Sequence, residues 1–120
     1  MSNFTPAETV ERTGFSLDTL RYYEKEGLLG QVARTAGGRR SYSQHDLDWL
    51  SLVRCLRDTG MPIADLKRYS LLATDDSTLA ERLALLLDHD AEVQAGIDRL
   101  LTQQRQLREK IDWYRGQLDA

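Results

Sequence analysis

Apolar residues recur at helical spacing in five stretches of this chain, and the polar residues between them are largely helix caps and turn formers. Thr5-Pro6-Ala7-Glu8 reads as a capping box with proline at the first helical position. A short helix is expected there, stopping near Gly14, with Ala7, Val10 and Phe15 turned inward. Ser16 caps a second helix, Asp18 places an anion in its first turn, and Gly27 can turn left-handed past its end. Leu17, Leu20 and Leu28 are spaced to pack inward with Phe15, while Thr19, Arg21, Tyr22 and Lys25 fall on the opposite side. A short helix, a turn at Gly14 and a capped second helix make a helix-turn-helix candidate. In the stretch from Leu29 to Tyr42, Gly37-Gly38 suits a tight hairpin turn between two short extended pieces, a small ribbon or wing beside the second helix. Ser43-Gln44-His45-Asp46 is a second capping box, opening a helix through about Thr59 with Leu47, Trp49, Leu50, Leu52, Val53 and Leu56 apolar. Gly60 ends it, Pro62 opens the next, and Ile63, Leu66, Tyr69 and Leu72 continue the core. Thr74-Asp75-Asp76-Ser77 breaks the pattern and marks a boundary, so residues 1–74 read as one domain.

From Thr78, with Glu81 three residues on as a third capping box, a heptad pattern runs to residue 118. Stepping alternately by four and three gives Leu79, Leu83, Leu86, Asp90, Val93, Ile97, Leu100, Gln104, Leu107, Ile111, Tyr114 and Leu118, in which only Asp90 and Gln104 are polar. At about 1.5 Å per residue such a helix spans about 60 Å, too far for a small domain to cover. A second copy is the economical partner. In a parallel pair Asp90 would face Asp90 across a dry seam, where like charges are costly. An antiparallel pair crossing near Ile97 instead brings Asp90 within about one turn of Gln104 of the partner subunit, whose amide can donate to the carboxylate, and Gly96 permits close approach. The expected fold class is therefore all-α with a small β-wing: a winged helix-turn-helix domain followed by a long antiparallel coiled-coil dimerisation helix over residues 78–118.

Length and charge narrow the function. A chain of 120 residues has room for a small head and one extended element, without a large ligand-binding domain. No apolar run resembles a signal peptide or a membrane span, so no membrane partner is expected and the cytoplasm is the expected location. The net charge of -3 lies wholly in residues 61–120, which hold 8 basic and 11 acidic side chains, whereas residues 1–60 hold 8 of each. Between Gly27 and Gln44 stand Arg34, Arg39 and Arg40 and no acid. A local basic loop in an acidic chain points to a phosphate partner. With Tyr42 on the same ribbon, these arginines are placed to straddle a nucleic-acid backbone, while the hydroxyls and cations of the second helix suit phosphates and base edges.

Thr19-Leu20-Arg21-Tyr22-Tyr23-Glu24 with Gly27-Leu28-Leu29, then Arg34 and Gly38-Arg39-Arg40-Ser41-Tyr42-Ser43, then an aspartate-opened helix and a heptad helix, resemble the MerR family of bacterial transcription regulators over nearly the whole chain. The resemblance implies a homodimer that binds double-stranded promoter DNA at a pseudo-palindrome within the promoter spacer. It also implies that the dimer bends and untwists that DNA so that RNA polymerase engages both promoter elements. Carried over by position, Thr19, Arg21, Tyr22 and Tyr23 would serve the recognition helix, and Arg34, Arg40 and Tyr42 the wing. With Ser16, Lys25 and Arg39 these make the candidate DNA-contacting set. Asp18 departs from the basic or polar residue members often carry there, and Gly37 and Arg39 from a frequent Asn and Tyr.

Chemistry beyond DNA binding is sparse. One cysteine, Cys55, excludes an intrachain disulfide and a cysteine-cluster metal site, and His45 and His89 lack a partner at ligand spacing, so no metal or cofactor is expected. Cys55, between Arg54 and Arg57, resembles in its place the single cysteine of the subgroup that responds to aldehydes, nitric oxide or related electrophiles. The alternative is a small apolar core residue, which leaves a regulator without thiol sensing. No nucleophile, base and orienting group converge, so an enzyme is not expected. A coiled-coil scaffold is the rival reading, and the basic wing distinguishes the two, since a scaffold has no use for three clustered arginines.

Overall fold

The computed structural model describes residues 3–120. In chain order it contains β1 (Asn3–Phe4), α1 (Pro6–Thr13), α2 (Leu17–Lys25), β2 (Ala33–Arg34), β3 (Arg40–Ser43), α3 (Gln44–Asp58), α4 (Ile63–Leu72), a 3-10 turn (Asp76–Thr78) and α5 (Leu79–Asp119). The expected fold class is the observed one: mostly helical, with a small antiparallel sheet and a long C-terminal helix. The chain divides into two compact units, residues 1–83 and 84–120.

Local chemistry sets the ends of the helices. Thr5 and Glu8 form the reciprocal capping box, the Glu8 amide donating to Thr5 Oγ1 at 3.1 Å and the Thr5 amide to Glu8 Oε1 at 3.0 Å. At the other end of α1, Gly14 has φ +76° and its amide donates to the Val10 carbonyl at 2.9 Å. Serine 16 caps α2 by accepting from the Thr19 amide at 3.1 Å. Gly27, at φ +80°, closes that helix in a Schellman turn, with the Leu28 amide donating to the Tyr23 carbonyl at 2.9 Å. Ser43 and Asp46 repeat the reciprocal box at α3. The third box does not follow the pattern: the Thr78 hydroxyl turns back to the Leu72 and Asp75 carbonyls and accepts from Arg82 Nε at 3.1 Å.

α1 differs from the expected helix in the face it buries. Ala7 is exposed and Val10 half-buried, whereas Thr9 and Thr13 are buried. Their hydroxyls donate to the Thr5 and Thr9 carbonyls one turn back, at 2.9 and 2.7 Å, so each threonine presents its methyl to the core with its polar atom satisfied. Arg54 of α3 reaches across and donates to the Thr13 carbonyl, sealing the C-terminal end of α1. A Cβ on Gly14 would stand 1.7 Å from Arg54 Nη1. Gly14→Ala is therefore expected to strain a left-handed residue and to displace this charged hydrogen bond together, lowering stability by about 2–4 kcal/mol in urea unfolding. Arg54→Ala should reproduce only the hydrogen-bond share.

The sheet has the order β1-β3-β2, all antiparallel, with Phe4 opposite Tyr42 and Arg34 opposite Arg40. The wing turn is longer than a two-residue turn at Gly37-Gly38. Only Gly38 of that pair is left-handed, at φ +83°, and the loop closes through Gly38 N to Thr35 O at 2.9 Å and Thr35 N to Arg39 O at 2.8 Å. The strand β1 has no counterpart in the sequence reading, because two residues show no alternation.

The core joins Phe15, Leu20, Tyr23, Leu28 and Val32 to Tyr42, Leu47, Leu50, Val53, Leu56, Leu66 and Tyr69. Trp49 stacks on Tyr69 at 5.5 Å and donates from Nε1 to the Leu28 carbonyl at 2.6 Å, where Ser70 Oγ also donates at 3.4 Å. The junction from α2 into the wing is thereby tied to α3 and α4. Ile63, expected in the core, is instead exposed at the first turn of α4, and Met61, just after Gly60, is buried. α5 is one unbroken helix of 41 residues. Most of its heptad row, from Leu79 and Leu83 through Ile97, Leu100 and Leu107 to Tyr114 and Leu118, is exposed in the single chain.

Candidate nucleic-acid interface

The outward side of α2 and the wing enclose a cleft of about 250 Å³. Arg21 of α2 and Arg34, Arg39 and Arg40 of the wing line it, with Leu17 and Tyr42 beneath. Four guanidinium groups on one concave surface suit a polyanion whose charges are spaced along a backbone.

The ten candidate contact residues fall into two groups. Some of them build the surface. Ser16 and Thr19 are joined at the helix cap, their hydroxyls 2.9 Å apart. Tyr23 is buried edge-on against Phe15 at 5.3 Å, and Tyr42 is 1% exposed at the centre of the sheet. Both tyrosines, carried over as candidates for the recognition helix and the wing, are thus buried in the packed head. Arg34 Nη1 donates to the Gly38 carbonyl at 2.9 Å and holds the wing turn. Arg40 Nε donates to both oxygens of Glu24, at 3.1 and 3.3 Å, which fixes the wing against α2. Sequence reading missed this pair, since the two residues lie 16 positions apart and only the hairpin's fold-back brings them together.

Arg21, Tyr22, Lys25 and Arg39 present themselves outward. Arg21 stands 3.7 Å from Asp18, on a surface wet enough for water and a phosphate to compete for it. Below α2, Lys67 of α4 donates to Glu26 Oε2 at 2.8 Å, which holds the Glu26 carboxyl below its usual range and anchors the helix end. Cys55 is exposed on α3 and carries a free thiol. That position does not match a buried core residue. Its flanking arginines are both engaged by Asp58, Arg54 at 3.3 Å and Arg57 at 2.9 Å. Among the described residues no cluster of His, Cys, Asp and Glu is arranged to hold a metal ion, and no helix is long and apolar enough to cross a membrane.

Burial pushes the Tyr42 phenol above its ordinary value of 10.0, and Glu24 nearby pushes the same way. The folded head therefore holds this proton more tightly than the unfolded chain, a contribution fully present below pH 10 and lost as pH rises through the folded value. Urea midpoints measured between pH 8 and 11 should fall more steeply above pH 10 for the parent chain than for Tyr42→Phe.

The profile of the MerR HTH family of regulatory proteins matches residues 4–71. An uncharacterized HTH-type transcriptional regulator of Haemophilus influenzae is 39% identical over 112 residues, covering 92% of this chain and 83% of that protein. The HTH-type transcriptional regulator AdhR of Bacillus subtilis is 36% identical over 83 residues, covering 68% of this chain and 59% of AdhR. Among solved structures, HiNmlR, a MerR family regulator lacking the sensor domain and bound to promoter DNA, superposes with a TM-score of 0.87 at 38% identity, covering 95% of this chain and 91% of that one. A MerR family structure from Listeria monocytogenes gives 0.86 at 34% identity, covering 92% and 85%. Profile, relatives and fold agree on one assignment: the chain belongs to the MerR family of helix-turn-helix transcriptional regulators.

Proposed function

We propose that the chain acts as a homodimer in which residues 1–74 read promoter DNA and residues 78–118 pair two copies through an antiparallel coiled coil. The observation that carries this reading is the cationic cleft between α2 and the wing, in a fold shared with a regulator solved on promoter DNA. Arg21, Lys25 and Arg39 hold phosphates and Tyr22 reaches the groove, while Arg34, Arg40, Tyr23 and Tyr42 keep wing and helix at a fixed spacing. The apolar row Leu79, Leu83, Leu86, Val93, Ile97, Leu100, Leu107, Ile111 and Tyr114, with Asp90 and Gln104 within it, forms the seam. Two heads at a fixed separation select a pseudo-palindromic site, and gripping both halves bends and untwists the spacer for RNA polymerase. The chain works in the bacterial cytoplasm at the nucleoid and is not an enzyme. Purified protein titrated onto duplex from upstream of its own gene, with transcription in vitro from that promoter, tests the reading. Tight binding with a changed transcript level is expected, and equal affinity for a scrambled duplex would overturn it.

A second reading, that an electrophile at Cys55 triggers the switch, is favoured by the exposure of its thiol. Cys55→Ser should bind the promoter as the parent does but lose its response to an aldehyde in the transcription assay. A response that survives the change would refute a sensing role for Cys55.

A further inference from the structure

α5 is electrically polarised along its length. Residues 79–98 carry Glu81, Asp88, Asp90, Glu92 and Asp98 against Arg82 alone, and residues 99–118 carry Arg99, Arg105, Arg108, Lys110 and Arg115 against Glu109 and Asp112. With histidine neutral the first half is net -4 and the second net +3. A parallel partner would set acid against acid and base against base, whereas an antiparallel second copy lays each acidic half along a basic one. The occupant of this exposed face is thus a second copy in reversed direction.

Register follows from the heptad row. Its twelve positions from Leu79 to Leu118 overlap completely when Leu79 faces Leu118 of the partner subunit. Ile97 then meets Leu100 of the partner subunit, and Asp90 lies level with Leu107 of the partner subunit. In an antiparallel pair the row that contains Asp90 and Gln104 lies on the same side as the flanking row that contains Arg108. Arg108 of the partner subunit is therefore offset from Asp90 by one residue, about 1.5 Å along the axis. Within the chain, among the described residues, neither the Asp90 nor the Arg108 side chain has an ion pair or hydrogen bond, and Asp90 is exposed.

We propose that Asp90 of each copy forms a charged hydrogen bond with Arg108 of the partner subunit, and that the two symmetric locks set the direction and register of the zipper. The proposal rests on the α5 dimer of the proposed function and deepens it. A carboxylate sealed into an apolar seam without a partner is strongly unfavourable, and a guanidinium with the neighbouring Gln104 amide of the partner subunit satisfies it. The locks lie about 26 Å apart, 17 residues at about 1.5 Å each, so a slip of one heptad breaks both together.

Sedimentation equilibrium of the full chain tests this with Asp90→Arg, Arg108→Asp and the two combined, with far-UV circular dichroism confirming that each stays helical. Each single change places like charges side by side and should raise the dimer Kd at least tenfold. The combined swap restores an opposite pair and should return Kd to within about threefold of the parent. If the parent dimerises but the swap weakens it by the product of the single effects, the lock is refuted and the dimer stands. If the parent stays monomeric at working concentrations, the dimer reading falls with it.

Discussion

Replacing Arg21, Lys25 and Arg39 together by alanine should weaken promoter binding about a hundredfold at physiological salt while leaving the head folded. All three are exposed and none is part of the packed core. Each phosphate neutralised on duplex DNA contributes a slope of about 0.9 in log affinity against log salt, so three contacts give about 2.7. Between about 1 M and 0.15 M salt that slope amounts to a factor of somewhat over a hundred. Fluorescence anisotropy across a salt series reads both quantities in one experiment. Arg40→Ala is expected to behave differently. Losing the pair with Glu24 leaves that carboxylate unpaired and frees the wing, so affinity falls through misplacement while the salt slope drops by about one at most. A slope unchanged by the triple substitution would place the duplex elsewhere on the molecule.

Leu100→Asp should convert the dimer to monomers at micromolar concentration and remove promoter binding with it. Leu100 is 66% exposed in the single chain, in the middle of a 41-residue helix whose apolar row has no cover within its own unit. Losing a buried leucine costs about 2–5 kcal/mol, and in a symmetric dimer the loss occurs twice, so the dimer Kd should rise at least a thousandfold. DNA binding falls because two tethered heads gain from a high effective concentration that separate heads lack. Thermal unfolding of the head should be unaffected, since no head residue is touched. A chain that keeps its dimer mass after this change would show that the pairing surface lies off the heptad row.

The parts legible in the sequence were those written in adjacent residues. Thr5 with Glu8, Ser16 with Thr19 and Ser43 with Asp46 specify helix starts within four positions, and Gly14, Gly27, Gly38 and Gly60 specify left-handed turns that other residues resist. The heptad row is equally local, and α5 runs unbroken through both of its polar positions. What stayed hidden depends on distant pairs. The Glu24–Arg40 tie, the Trp49 hydrogen bond to the Leu28 carbonyl and the Arg54 seal on Thr13 exist only once the chain has folded back on itself. Burial and pairing likewise separate the candidates: Tyr23 and Tyr42 are buried, Arg34 bonds the wing turn and Arg40 pairs with Glu24, whereas Arg21, Tyr22, Lys25 and Arg39 are exposed. The burial of Thr9 and Thr13 is hidden for a related reason, because a threonine is polar by composition yet apolar once its hydroxyl bonds to its own helix.

Hydroxyl-radical footprinting of the parent protein on its promoter duplex tests most directly whether two joined heads grip one DNA. Two protected stretches related by a two-fold axis, separated by a whole number of helical turns and both lost in Leu100→Asp, are the predicted result. A single protected stretch, or one that Leu100→Asp retains, would contradict it.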